Sequence, residues 1–206
     1  RFAVNIGLLE RPLIQGLLWG SITGNLTLAL SISIIFELFW LDLVPAGTFI
    51  PPNTAASNLA ALSLIHFFGF QRPGEIIFPV LLCLPLAWLG SRLEHFQRNR
   101  HAGYNLILSW TQKSRFKEFA PKKLILRGML QSAILNMIFF CGSVLCLITL
   151  TGVLQSHGLL SPPVNFFSWG HLWLVASLGG ILSLRTPKAY FILACGVGLV
   201  AVVSIF

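Results

Sequence analysis

The chain has 206 residues, of which 55% are hydrophobic and only 10% are charged, and its formal net charge is +8. Soluble proteins carry about 25% charged residues, so this composition excludes an ordinary soluble domain and indicates a polytopic membrane protein. The positive charge does not indicate nucleic-acid binding, because no motif of that class accompanies it. Nine of the fourteen Lys and Arg residues lie within residues 92–127, the pattern of a cytoplasmic loop beside a membrane exit.

The first apolar stretch, residues 2–9, is too short for a signal peptide of the usual three-part kind. We expect it to be the tail of a helix that begins before Arg1. A polar break at residues 10–12 follows. Residues 13–24 then form an apolar run of about a dozen residues, which reaches roughly 18 Å as a helix and falls short of the roughly 30 Å bilayer core. We expect a broken or re-entrant helix here, or one that continues through the break.

Three glycines recur every four residues in this run: Gly16, Gly20 and Gly24. Small residues at that spacing form a smooth stripe, which lets another helix backbone approach closely in a membrane. We therefore expect helix packing along the stripe, with close approach of a substrate as the alternative.

The stretch from residue 26 to residue 53 organises the rest of the chain. It opens as an apolar run over residues 26–44 that contains Glu37 and Asp42, and it ends in a Pro/Gly-rich loop. A carboxylate at membrane depth costs at least about 2.5–3.5 kcal/mol, so Glu37 requires compensation. A polar substrate on its way through the protein would provide this compensation. The structural alternatives are a helix-capping role for Glu37 or an ion pair with Arg11 or Arg72.

Further apolar runs are predicted at residues 54–69, 75–90, 128–154, 171–184 and 189–206. Two prolines, Pro79 and Pro85, should kink the second of these runs. The basic stretch interleaves aromatic and basic residues, which suits amphipathic helices on the inner leaflet or a docking surface for a soluble partner. The sequence thus predicts three parts: N-terminal membrane helices (1–90), a basic amphipathic segment (91–127) and C-terminal membrane helices (128–206).

The basic stretch also predicts the orientation. If it is cytoplasmic, the loop at residues 155–170 lies outside, the basic turn at 185–188 lies inside, and the turn at 71–74 lies outside. The expected fold is all-α, a polytopic membrane protein with broken or re-entrant helices and amphipathic surface helices.

The sequence offers few ingredients for chemistry of its own. It has no recognisable Ser/His/Asp arrangement, no phosphate-binding glycine loop and no metal-binding pair at helical spacing. The four cysteines lie in apolar runs without a CxxC pair, as expected of packing residues. We therefore expect no catalytic residue, no metal and no cofactor; an intramembrane enzyme would need a nucleophile and a base that are missing.

Polar side chains inside apolar runs indicate instead a neutral polar ligand. Carboxylates and amides hydrogen-bond to sugar hydroxyls, and aromatic faces pack against the apolar face of the ring. The candidate substrate-binding residues are Gln15, Asn25, Glu37, Trp40, Asp42 and Asn53. For Trp40 the alternative is simple packing, and for Asp42 it is contact with water near the end of its run.

The segment ERPLIQGLLWGSITGN, followed by LSISIIFELFWLDLVPAGTFIPPN, resembles the IIC membrane subunit of the mannose/sorbose class of bacterial phosphotransferase systems. The basic middle loop and the turn RTPKAYF are similar to later parts of that subunit. The resemblance implies a sugar permease in the bacterial inner membrane, without catalytic residues of its own, that forms an oligomeric complex with a IID membrane subunit.

By the same resemblance, soluble IIA and IIB proteins would carry the phosphate, and IIB would transfer it to a sugar of the hexose class at the cytoplasmic face. Glu37 and the loop ending at Asn53 would line the sugar path, and residues 92–127 would lie on the side where IIB docks. Asn25 stands where the family pattern has an aspartate, and the chain is short. The alternative is therefore a non-transporting membrane scaffold or regulatory subunit derived from such a permease.

Overall fold

A computed structural model describes residues 9–40, 50–113, 121–158, 167–183, 188, 191 and 194–195. These residues form helices, turns and irregular segments but no strands, which confirms the expected all-α class. The helices are α1 (Pro12–Thr23), α2 (Leu26–Phe39), α3 (Thr54–Phe68), α4 (Pro73–Lys113), α5 (Pro121–Ser156) and α6 (Trp169–Ser183).

Helices α1 and α2 form an antiparallel hairpin. Proline suits the first position of a helix because its missing N–H would have no partner there, and α1 begins at Pro12. It ends at Gly24, whose φ of 74° is left-handed and costs glycine little. As predicted, α1 is short, with twelve residues.

The glycine stripe packs this hairpin, as predicted for two of its three members. A Cβ on Gly20 would lie 2.7 Å from the Cα of Leu26, and one on Gly16 would overlap the side chain of Ser33. Gly24 differs, because a Cβ there would meet nothing within 4 Å. Its role is the turn between the helices.

Helix α3 runs parallel to α1, and α4 returns antiparallel to α3. Asn53 caps α3 by accepting the N–H of Ala56 through Oδ1 at 3.1 Å. The backbone N–H of Asn53 donates to the carbonyl of Ala87 at 2.9 Å, and the hydroxyl of Ser57 donates to the carbonyl of Cys83. Two α4 carbonyls thus anchor the first turn of α3.

The second predicted span differs from the structure at its end. Residues 75–90 were expected to span and then give way to surface helices, but α4 continues through Gly90 to Lys113. Its two prolines lie at positions 79 and 85, and no proline follows until Pro121, so nothing of that kind ends the helix at residue 90. The basic residues therefore begin on the same helix as the apolar span.

The core lies between α2, α3 and α4, with α6 packed on the outside of α2. The fully buried apolar residues of this core include Ile32, Phe36, Leu64, Ile65, Ile76 and Cys83. The indole N–H of Trp173 donates to the carbonyl of Ser31 at 3.1 Å. A Cβ on Gly180 would lie 2.5 Å from the carbonyl oxygen of Leu38, so α6 approaches α2 closely because it carries glycine there.

Within the part of the chain that the structure describes, two segments are long and apolar enough to cross a membrane, Pro73–Asn99 and Gly128–Ser156. Only 6% of the apolar window in the second is buried within the chain. Helix α2 ends at Phe39, earlier than the apolar run to residue 44 suggests, and with fourteen residues it reaches roughly 21 Å. The hairpin helices are therefore each shorter than the roughly 30 Å core.

Replacing Gly16 with alanine should destabilise the hairpin. The new methyl group would overlap Ser33, and overpacking of this kind costs about 1–3 kcal/mol. The matched control is Gly142→Ala on α5, where a Cβ meets nothing within 4 Å. Thermal unfolding in detergent, followed by tryptophan fluorescence, should show a lower Tm for Gly16→Ala alone. Equal Tm values for the two variants would contradict the packing role.

Candidate functional site

Glu37 is held at the end of α2 by an ion pair. Its Oε1 lies 3.1 Å from Nη1 of Arg11, which precedes the first residue of α1. The Glu37 side chain is 15% exposed, whereas that of Arg11 is 60% exposed. The carboxylate is therefore covered by protein, while its cationic partner reaches outward.

The helix dipoles explain why this pair forms. Glu37 lies in the last turn of α2, where the dipole disfavours a negative charge, and Arg11 lies at the start of α1, where it disfavours a positive one. The antiparallel hairpin brings these two ends together, so each charge offsets the other. The ion pair considered for Glu37 from the sequence is thus present with Arg11.

The second carboxylate oxygen of Glu37 is placed differently from the first. Oε2 is buried and has no hydrogen-bond partner among the described residues. A buried carboxylate oxygen without a donor is costly. This oxygen is therefore an acceptor that a ligand hydroxyl, or the chain at residues 41–49, could satisfy.

A buried polar network links α1, α2 and α3 near this end of the hairpin. Nδ2 of Asn58 donates to Oε1 of Gln15 and to the carbonyl of Pro12, both at 3.2 Å. The hydroxyl of Ser33 donates to Oδ1 of Asn58 at 3.2 Å, and Nε2 of Gln15 donates to the carbonyl of Leu9 at 3.1 Å. The network uses both ends of the Gln15 amide to join helices.

Asn53 lies at the same end of the bundle. Asn53 precedes Asn58 by about one helical turn, and Glu37 follows Ser33 by about one turn on α2. Because Ser33 and Asn58 are hydrogen-bonded to each other, Asn53 and Glu37 lie on the same side of that contact. While Oδ1 of Asn53 caps α3, its Nδ2 has no hydrogen-bond partner among the residues that the structure describes. The two candidate residues thus offer complementary groups, a carboxylate acceptor and an amide donor.

Trp40 belongs to an aromatic cluster beside Glu37. Its ring stacks on Phe36 with centroids 6.0 Å apart and meets Phe39 edge-to-face at 5.0 Å. These contacts agree with the packing alternative for Trp40, which follows Glu37 by three residues in the sequence. Asp42 lies outside the described residues.

The structure separates Asn25 from the other candidates. It lies in the hairpin turn, twelve residues before Glu37, and therefore about 18 Å away along α2. There it lines a cleft of about 230 Å³ together with Trp19, His66 and Gln71. Sequence reasoning placed Asn25 with Glu37 and missed this cleft, because the antiparallel turn of the hairpin decides which residues meet.

Sequence reasoning also missed Ser33 as a member of the buried network. The available signal was its position four residues before Glu37 on the same helix face. No group of three or more His, Cys, Asp or Glu side chains that could hold a metal occurs within the described part of the chain.

Composition and fold together are those of an all-α protein with two helices apolar enough to cross a membrane among the described residues. A family model described as the PTS system sorbose-specific IIC component matches residues 3–162, which include α1 to α5. The chain belongs to this family, and the resemblance to the mannose/sorbose class is thereby confirmed. It is a membrane component of a sugar phosphotransferase system, with a sugar as substrate and proteins of that system as partners. No curated protein and no solved structure matched the chain.

The two members of the ion pair should not be equivalent when replaced. Arg11→Gln leaves a covered carboxylate without its cation. It should lower the free energy of unfolding by about 1–3 kcal/mol, a loss between those for exposed and for buried ion pairs. Glu37→Gln leaves an exposed arginine that water solvates, so its cost should be smaller. Thermal unfolding in detergent measures both.

The double variant Arg11→Gln/Glu37→Gln completes the comparison. It should be more stable than Arg11→Gln alone, because the uncompensated carboxylate is gone. Strictly additive losses would show that the two side chains do not interact.

Proposed function

We propose that this chain is the sugar-translocating IIC subunit of a phosphoenolpyruvate-dependent phosphotransferase system. It binds the sugar beside Glu37 and passes it to the cytoplasmic face, where a IIB protein phosphorylates it. The observation that carries this proposal is the Glu37 carboxylate, which is covered, fixed through one oxygen by Arg11 and buried without a partner at the other among the described residues.

The proposed binding chemistry follows from these groups. A sugar hydroxyl donates to Oε2 of Glu37 in a charge-assisted hydrogen bond, which is roughly twice as strong as a neutral one. A neighbouring hydroxyl accepts from Nδ2 of Asn53, and Trp40 bounds the site with an apolar wall. Asp42 lies five residues beyond Glu37 in the sequence and is proposed to contribute a second acceptor. Gln15 supports the site from the buried network and Asn25 acts at the far end of the hairpin.

We further propose a multi-pass arrangement in the bacterial inner membrane with a IID membrane subunit and soluble IIB and IIA proteins. Support comes from α4, which carries basic residues directly out of the span Pro73–Asn99, as the cytoplasmic side of a span does. In this orientation Glu37 and Asn53 lie towards the cytoplasm, since Asn53 contacts α4 at Ala87. The segment 91–127 then faces IIB, between membrane parts at 1–90 and 128–206.

Further support for a membrane partner comes from α5. Its apolar window is 6% buried within the chain, and yet Asn136 on it accepts a hydrogen bond from Gln97 of α4 at 3.1 Å. An apolar surface of this extent is covered by lipid or by another membrane subunit. We propose that IID covers part of it in an oligomeric complex.

The alternative function is a non-transporting scaffold or regulatory subunit. Two observations favour it: Arg11 gives Glu37 a structural partner, and both the nitrogen and the oxygen of the Gln15 amide are hydrogen-bonded within the protein. In that case the carboxylate would hold the hairpin together and no sugar would pass.

The deciding experiment is sugar uptake in cells that lack other routes and express this chain with its partner subunits. Glu37→Gln should lower kcat/KM for uptake roughly 10- to 100-fold, the value of one charge-assisted hydrogen bond. The matched control is Glu75→Gln, since Glu75 accepts only the backbone N–H groups of Gln71 and Arg72 among the described residues and glutamine keeps an acceptor there.

Co-purification of the partner subunits checks that both variants assemble. Uptake that is unchanged in an assembled Glu37→Gln complex would remove the carboxylate from the sugar path. Equal uptake with and without this subunit would establish the scaffold instead.

A further inference from the structure

We propose that the cleft at the turn of the α1–α2 hairpin is a second sugar site, which takes a single neutral monosaccharide on the outer side of the membrane. This inference rests on the proposed function and extends it. The cleft is about 18 Å along α2 from Glu37, so one sugar ring cannot contact both places. Four polar or aromatic side chains at the cleft carry the argument: Trp19, Asn25, His66 and Gln71.

The cleft exists because two neighbouring parallel helices end at the same level in left-handed glycines. Helix α1 ends at Gly24 with φ 74°, and α3 ends at Gly69 with φ 67°. The chain turns away after each glycine and leaves a gap of about 230 Å³ between the helix ends. Trp19 and His66 both line the cleft and contact each other edge-to-face, with ring centroids 6.2 Å apart.

The polar groups at the cleft are available to a ligand. Asn25 is in the N-cap position of α2, yet its side chain makes no capping hydrogen bond. Gln71 uses its backbone N–H to reach Glu75, and its exposed amide has no partner among the described residues. The His66 ring is exposed and makes no hydrogen bond within that same part of the chain.

The chemistry of the lining selects a neutral polyhydroxy ligand. Amides and imidazole both donate and accept hydrogen bonds, as hydroxyl groups do, and the indole of Trp19 offers an aromatic surface to a sugar ring. Among the described lining residues there is no carboxylate, ammonium or guanidinium group. An ion or a phosphorylated sugar would find no compensating charge there.

Size and position narrow the ligand further. A volume of about 230 Å³ is below the roughly 300–1,000 Å³ of pockets for drug-sized ligands, so we expect one sugar ring and no disaccharide. Gln71 belongs to the turn predicted to lie outside, which places the cleft where a sugar arrives. Sugar bound in the cleft would raise the local concentration of sugar that is available to the proposed site at Glu37, at the other end of the hairpin.

The test uses the assembled complex in membrane vesicles, with sorbose and mannose as probes and sucrose as the disaccharide control. The fluorescence of Trp19 is isolated as the difference between the complex and its Trp19→Phe variant, which keeps an aromatic ring. We expect this signal to change saturably with the monosaccharides but not with sucrose. It should persist in Glu37→Gln and be lost in His66→Ala.

Uptake kinetics supply the second readout. Asn25→Ala and His66→Ala should each raise KM roughly two- to tenfold, the value of a neutral hydrogen bond, with kcat within about twofold. The control is Ser21→Ala, an exposed position on α1 whose hydroxyl donates to the carbonyl of Leu17 and which lies outside the cleft. It should leave KM unchanged.

The outcomes separate this site from the proposed function. A saturable Trp19 signal without any sugar uptake supports the cleft and contradicts transport, whereas uptake without such a signal overturns the cleft. Loss of the signal in Glu37→Gln also overturns it, because the signal would then report the site at Glu37. An unchanged KM for uptake in both Asn25→Ala and His66→Ala would also overturn the proposed sugar site in the cleft.

Discussion

The contact between Arg11 and Glu37 fixes the geometry on which the rest of this structure depends. Each charge lies at the end of its own helix where the dipole disfavours it, and the antiparallel arrangement of α1 and α2 lets each charge offset the other. The arrangement holds one carboxylate oxygen at 3.1 Å from the guanidinium and leaves the other directed into protein. A carboxylate that burial would otherwise make costly is thereby kept in place, with its second oxygen left without a partner among the described residues.

The same hairpin depends on small residues for its spacing. Gly16 lets Ser33 come close enough to α1 to bond with Asn58, and Asn58 in turn ties α3 to Gln15 and Pro12. Buried amides bonded in this way stiffen a core, since each group would be costly without its partner. Packing at one glycine is therefore a condition for the polar network beneath the carboxylate, and the network positions α3, whose first turn presents Asn53.

Much of this organisation can be predicted from the sequence. The short helix after the polar break, the apolar run containing Glu37 and the helix starting after Asn53 all follow from apolar length and from Pro and Gly signals. The sequence does not show which helix ends meet or how far apart the candidate side chains lie. Asn25 and Glu37 lie at the two ends of α2, about 18 Å apart along the helix, and the folded bundle brings Trp19, His66 and Gln71 to the cleft that Asn25 lines. Gln15 looks available to a ligand until Asn58, forty-three positions later, occupies it.

The end of α4 shows a second limit of sequence reasoning. A change from apolar to basic composition near Gly90 suggests a boundary, but composition alone does not end a helix, and α4 continues to Lys113. Backbone hydrogen bonds can continue a helix across a change in composition, and α4 also continues past its internal Pro79 and Pro85. The change in composition therefore marks a change of surroundings along one continuous helix rather than the start of a new element.

The two ends of the hairpin differ in a way that suits a one-way path for a neutral solute. At the turn, the described cleft offers amides, an imidazole and an indole without full charge, where neutral hydrogen bonds are worth about 0.5–1.5 kcal/mol each and release is easy. At the other end a fixed carboxylate offers a stronger, charge-assisted bond in a drier setting. On the path we propose, a solute that carries hydroxyl groups would gain affinity from the first end to the second, and phosphorylation at the cytoplasmic face would then remove it from the stronger site. The antiparallel hairpin creates both environments at once, because the turn that exposes Asn25 is the turn that brings Arg11 to Glu37.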